Sequence, residues 1–162
     1  MIKKAVIQKQ DTSTAEDFDL DLGEVAQSYP LIPPGEYDVG FMNKAHFMTL
    51  LKGERLISYW KIQDLNSEYH GTELILSFQR PKKGKKWGAL SKFAQCYRIA
   101  VGRNPDRFDT GRLSINVFKN KLFRAQVRTV TEFNDPKGRK RVERSPENHY
   151  SVIDTLVALN VG

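Results

Sequence analysis

The sequence predicts a mainly β domain, with five strands and one helix between the third and the fourth. Three observations predict it. Short segments in which apolar and polar residues alternate recur along the chain, as half-buried strands require. One stretch, 89–101, spaces its apolar residues at helical intervals instead. Clusters of Gly, Pro, Lys and Arg separate these segments. At 162 residues the chain amounts to one typical domain, and 40% apolar against 28% charged residues suffices for a core without disulfide or metal.

Residues 1–33 form an acidic leader, with three lysines (Lys3, Lys4, Lys9) against six acids (Asp11, Glu16, Asp17, Asp19, Asp21, Glu24). It ends at Pro30, Pro33 and Pro34, which oppose helix and central strand, so it is expected to be extended or disordered, an edge strand at most. The folded domain is expected over 34–162. Its first strand is Glu36–Met42, with Tyr37, Val39 and Phe41 on one face and a bend at Gly40. Ala45–Leu51 either prolongs that strand or makes a turn of helix, and Lys52-Gly53-Glu54 is a turn.

Arg55–Asp64 is the second strand. Leu56, Ser58, Trp60 and Ile62 share one face, and Ile57, Tyr59, Lys61 and Gln63 the other. The company of Leu56 and Ile62 sends Trp60 inward and leaves Tyr59 outside. Thr72–Arg80 is the third strand, with Leu74, Leu76 and Phe78 on the core side; a basic connection, RPKKGKKWG, follows. The helix Ala89–Val101 presents Leu90, Phe93, Ala94, Tyr97 and Val101 as one apolar stripe and stops at Gly102. Leu113–Phe118 is a short segment leading to the fourth strand, Lys121–Thr131, where Phe123, Ala125, Val127 and Thr129 oppose Arg124, Gln126 and Arg128. Asn134–Gly138 is a turn that opens a basic loop, with five Lys/Arg among residues 137–144, and His149–Leu159 is the last strand. Phe41, Phe78, Phe93 and Phe123 are expected in the core.

Three strands, a helix and two strands is the order of the OB-fold, a five-stranded Greek-key barrel. That fold binds oligonucleotides on the face of its second and third strands and through the loops joining strands one and two and strands four and five. The basic loop falls between the fourth and fifth strands, and a strand with one arginine-bearing face leads into it.

The segments PPGEYDVGF, RLISYWKIQD, GTELILSFQR and FKNKLFRAQVRTV together resemble the small OB-fold single-stranded-DNA-binding proteins encoded by phages, plasmids and other mobile elements. The likeness runs over roughly 33–157. It implies a sequence-tolerant, non-catalytic binder acting in replication, recombination or DNA transfer. One feature departs from the pattern of the bacterial housekeeping single-strand binders, whose acidic C-terminal tip recruits partners: here TLVALNVG is apolar and the acids lie in the leader.

Charge and aromatic content point the same way without the resemblance. Against the leader's excess of acid, residues 34–162 hold 23 Lys/Arg and 13 Asp/Glu, and the chain carries 9 Phe, 6 Tyr and 2 Trp. A single strand offers phosphates and open base faces, and its binder needs cations for the first and aromatic rings for the second. The candidate phosphate contacts are Lys61, Arg124, Arg128, Lys137, Arg139, Lys140 and Arg141, with Lys82, Lys83, Lys85 and Lys86 as a second patch. Tyr59 and Trp87 are the candidate stacking rings, ahead of Phe133, Tyr69 and Tyr150. The plain alternatives are solvated loop lysines, a covered Tyr59 and a Trp87 that caps the barrel bottom.

Other chemistries find little support. The three histidines, His46, His70 and His149, are far apart in sequence, and one cysteine, Cys96, cannot make a zinc module or an internal disulfide. No GxxxxGK[ST] phosphate loop occurs. No cofactor, metal site or membrane segment is expected, and the setting expected is reducing and cytoplasmic. The alternative to strand binding is a small protein-interaction module, such as an inhibitor of a host nucleic-acid-processing complex; a small nuclease is a third reading. Single-stranded DNA, or RNA in its place, is the expected partner. A homo-oligomer and a replication or recombination protein held by the acidic leader are the further partners considered.

Overall fold

The computed structural model describes residues 29–50, 53–82, 87–88, 90–102, 114–134 and 140–160. Strand β1 spans Gly35–Leu50, β2 Gly53–Ile62, β3 Glu73–Gln79, β4 Leu122–Val130, β5 Glu132–Asn134, β6 Arg141–Glu143 and β7 Tyr150–Asn160. Helix α1 spans Lys92–Val101, and two short 3-10 turns cover Ile115–Phe118 and Pro146–Asn148. The main sheet is antiparallel in the order β3-β2-β1-β4-β7, while β5 and β6 pair as a separate hairpin.

The strand, strand, strand, helix, strand, strand order is thus present, but the expected barrel is not closed. Cα atoms of β3 and β7 come within 8 Å of each other, yet among the described residues no ladder joins them. The end of the leader lies along this free edge of β7. Ser151 N–H donates to the Pro30 carbonyl (2.9 Å), Ile32 N–H donates to Ser151 Oγ (2.9 Å), and that hydroxyl donates to the Ile32 carbonyl (3.1 Å). Ile32 is buried and Tyr29 packs on Tyr150, their centroids 5.8 Å apart. An edge strand presents unpaired backbone groups, and a strap of chain is one way to cover them.

Strand β1 is the longest because it serves two neighbours. Gly35–Gly40 pairs with β4, and from Val39 onward the strand pairs with β2. Of the two options open for Ala45–Leu51, the strand is the one adopted. The bend expected at Gly40 falls later, where the register slips between Phe41 and Ala45 and Asn43 takes a φ of 59°. An Asn tolerates this left-handed conformation better than most residues, so the bulge sits where the sequence supplies one. Gly40 itself stands where β1 passes from one partner to the next, with Lys61 on one side and Leu122 on the other.

The inner face holds the core. Trp60, Phe78, Phe93 and Phe123 are buried as the alternation predicts, and Phe41 is half-buried against them. Ser58 sits fully buried beside Trp60. Its hydroxyl accepts from Trp60 Nε1 (2.8 Å) and donates to the Leu76 carbonyl (2.6 Å), so both polar groups on this face are satisfied. Phe118, in the short segment before β4, is the centre of the aromatic cluster. Its ring lies 5.5–6.4 Å from those of Trp60, Phe123, Phe93, Phe41 and Phe78. Helix α1 starts later than expected, at Lys92, because the Ser91 side chain caps it by accepting from Ala94 N–H. That leaves Leu90 outside the helix and exposed, while Phe93, Ala94, Cys96, Tyr97 and Ala100 are buried. Gly102, at φ 80°, ends the helix as expected.

The loop after β4 is not featureless. Glu132↔Glu143, Phe133↔Val142 and Asn134↔Arg141 pair as the β5–β6 hairpin. Two strands of three residues rich in charge give no readable alternation, which hides them in the sequence.

A candidate nucleic-acid interface

The face of the sheet away from the core is where the alternation aimed the candidate residues. On β2 it carries Arg55, Ile57, Tyr59 and Lys61; their cross-strand neighbours on β3 are Gln79, Ser77, Ile75 and Glu73. Tyr59 is half-buried, back to back with the buried Trp60. From β1, in the bulge and just past it, Lys44 Nζ sits 4.5 Å from the centre of the Tyr59 ring and the His46 imidazole stacks at 5.6 Å. The bulge is what brings both side chains to this ring. Between the pairs Phe41↔Trp60 and Ala45↔Ser58, β1 advances four residues while β2 advances two, so the extra chain gathers opposite Tyr59.

Beside Tyr59 opens a groove of about 470 Å³ lined by Tyr29, Pro30, Tyr59, Thr72, Glu73, Leu74 and Ile75. Its volume falls in the range of small-molecule and cofactor sites. The leader strap forms one wall, so Tyr29 joins Tyr59 there. Burial raises the phenol pKa of both residues, and the nearby Tyr29 adds to the rise at Tyr59. Both rings are therefore neutral in neutral solution, as stacking surfaces should be. Burial, then the charge of Lys44, lowers the pKa of His46.

The arginine-bearing half of this face differs from expectation. Arg124 Nε donates to Asp38 Oδ1 (2.8 Å), and its Nη1 lies 3.5 Å from Glu36 Oε1. Arg128 Nε donates to Asp154 Oδ1 (3.0 Å). Arg141, in β6, donates to Glu132 Oε1 (2.7 Å). Alternation aimed Arg124 and Arg128 the same way, but the register of β4 also sets Arg124 directly against Asp38. The arginines of these pairs are exposed and Asp38 is half-buried, and such pairs contribute little to stability.

Lys61 is half-buried on β2, opposite Glu73. Lys82 and Lys140 are exposed. Lys83, Lys85, Lys86, Lys137 and Arg139 lie outside the described residues. Trp87, expected to stand free, is half-buried and stacks on Phe93 with centroids 4.5 Å apart. It caps the core, because the residue after the basic run returns to the helix start. Of the weaker ring candidates, Tyr150 is buried under Tyr29, Phe133 lies 5.3 Å from the Arg144 guanidinium, and Tyr69 packs edge-on to Tyr37.

The face also gathers residues that sequence reasoning passed over: Lys44, His46, Arg55 and Tyr29. Lys44 lies in the bulge, between the first strand read from the sequence and the stretch 45–51 that admits strand or helix, and His46 lies in that stretch, so the sequence assigns neither a face. Arg55 opens a strand, and Tyr29 belongs to the leader. Most of the basic surplus of residues 34–162 belongs to segments outside the described residues. Segments 51–52, 83–86, 103–113 and 135–139 together hold nine Lys/Arg and three Asp/Glu.

Among the described residues no three His, Cys, Asp or Glu side chains gather to hold a metal ion, and no helix is long and apolar enough to cross a membrane. Compared with known proteins, the chain matches no family model, no curated protein and no solved structure.

Proposed function

We propose that this protein is a non-catalytic, sequence-tolerant binder of single-stranded nucleic acid, DNA in the first place. In this reading it is an OB-type domain serving replication, recombination or DNA transfer of a phage or mobile element. The order β3-β2-β1-β4-β7, with the helix between the third strand and the last pair, is what a Greek-key barrel of this type leaves when its closing seam is open.

One observation carries the reading: the Tyr59 platform, with Lys44 over its ring, His46 stacked on it and a groove alongside. A base stacks on a neutral ring with little regard to its identity. A lysine held only by a cation–π contact at an exposed site turns to a phosphate at small cost. Lys61 lies on the same strand face, two residues further on.

Titrating a labelled oligo(dT) at two salt concentrations tests the reading. Binding whose log K falls by about 0.7 per log unit of salt for each phosphate neutralised supports it. No binding at low salt ends it. The carboxylate partners of Arg124, Arg128 and Arg141 favour a second reading, a protein-interaction module that acts on a nucleic-acid-processing complex. That reading predicts no oligonucleotide binding by the chain alone, and co-purification with such a complex.

A further inference from the structure

Where β3 and β7 converge, Arg55 reaches onto β3, Arg128 reaches a carboxylate of β7, and helix α1 packs against both strands. Arg55 is half-buried and lies over β3. Its guanidinium donates to Ser77 Oγ (3.1 Å), Gln79 Oε1 (3.1 Å) and the Ser77 carbonyl (3.5 Å), all of them neutral acceptors. Across the seam Arg128 holds Asp154 at 3.0 Å. Helix α1 packs on the same stretch of β7, where Cys96 Sγ lies 3.7 Å from Thr155 Oγ1, the neighbour of Asp154. Lys92 is one turn before Cys96 on the same helix face, and Asp154 is among the charges that act on it. It is half-buried, in a first turn that holds no acid.

The three charges act on one another. Burial lowers the pKa of Lys92, with Arg55 lowering it further, Asp154 raising it and Arg128 lowering it again. Burial and Arg128 lower that of Arg55. Among the described residues, three cations against a single carboxylate leave an excess of positive charge in a place only partly open to water, where like charges repel more strongly than in bulk. Arg55 is fixed there by neutral groups, which orient its guanidinium without neutralising it.

We propose that Arg55, Lys92 and Arg128 form a seat for one phosphate-type oxyanion at the β3–β7 seam, with Asp154 as its intramolecular competitor. The oxyanion is either a phosphodiester of a bound strand or free phosphate. The seat does not depend on the strand-binding reading, and the test separates the two.

The full-length chain is melted in inorganic phosphate and in chloride at equal ionic strength, as wild type, Lys92→Met, Arg55→Gln and Asp154→Asn. Phosphate should raise the wild-type melting temperature above that in chloride, as a ligand of the folded state must. Lys92→Met, which keeps the apolar stem, should weaken phosphate on the order of tenfold or more by removing a charge-assisted contact. Asp154→Asn should strengthen it, an outcome that a purely structural role of this cluster would not produce. Should Arg55→Gln fail to fold, Lys92→Met and Asp154→Asn still decide. Equal melting in phosphate and chloride, or unchanged phosphate binding in Lys92→Met, overturns the proposal. In a second arm, a fall of about 0.7 in the oligo(dT) salt slope of Lys92→Met identifies the anion as a phosphodiester. An unchanged slope, or no oligo(dT) binding at all, beside phosphate binding that Lys92→Met loses, identifies it as free phosphate, and the seat stands.

Discussion

The outer face of the sheet divides into two halves whose cations keep different company. Where β4 lies between the first part of β1 and β7, Arg124 and Arg128 each hold a carboxylate, from Asp38 and Asp154. On β2 and the later part of β1, Lys44 sits over a ring, Arg55 is held by Ser77 and Gln79, and among the described residues no carboxylate pairs with Lys44, Arg55 or Lys61. A period of two tells which way a side chain points. It does not tell what stands across the ladder, and here that neighbour decides whether a cation is available to a ligand.

The largest effect expected is on two adjacent residues of β2. Trp60→Ala removes a fully buried ring and the donor to Ser58, and should cost about 3–5 kcal/mol of stability in urea denaturation. Tyr59→Ala should leave the fold in place and cost about 1–3 kcal/mol of oligo(dT) binding if a base stacks there. A Tyr59→Ala variant that unfolds as Trp60→Ala does would show that the two faces are not divided between core and ligand.

Next in size is the contrast between the halves. Lys44→Ala with Lys61→Ala should flatten the oligo(dT) salt slope by about 0.7 for each residue that meets a phosphate. Arg124→Ala with Arg128→Ala should change the slope less, because a cation already held by a carboxylate neutralises less of a phosphate. An equal loss of slope in both doubles would erase the distinction. Asp38→Asn approaches the same point from the other side. Releasing Arg124 should raise affinity a few-fold and steepen the slope, whereas unchanged binding would show that Arg124 lies off the path of the strand.

How much of this was legible in the sequence follows from range. The strands of the main sheet, the helix, the inward Trp60 and the outward Tyr59 all rest on periodicity, and each falls in the stretch the pattern assigns, although the helix starts later, at Lys92, and β1 runs on to Leu50. What escaped depends on partners distant in sequence. Phe118 looks like a residue in a connecting turn until β1, β2, β3, β4 and the helix close around it. Asp38 is 86 residues from Arg124, and no local signal pairs them. The strap of residues 29–33 reads as proline-rich leader, and its hydrogen bonds to Ser151 on β7, the burial of Ile32 and the packing of Tyr29 on Tyr150 explain why it is held. Lys44 and His46 reach Tyr59 only because two extra residues of β1 are taken up in a bulge, and a register slip of that kind leaves no mark on the local pattern.

The smallest effect expected separates stability from binding at a single group. The pKa of His46 lies below its ordinary 6.5 through burial and then Lys44. The unfolded chain therefore takes up this proton first as pH falls, so the contribution of His46 to stability is whole above 6.5 and is lost as pH falls through its lower folded value. Binding carries the opposite sign. A strand whose phosphates draw Lys44 away and lie near the imidazole favours its protonated form, so oligo(dT) affinity should rise over the same fall in pH. Each unit by which the strand lifts this pKa is worth about tenfold at most. His46→Gln should remove both trends, leaving a flatter pH profile of melting and of affinity. A wild type whose affinity falls with its stability below pH 6.5 would place the strand away from Lys44 and His46, and with them from the half of the face on which the binding reading rests.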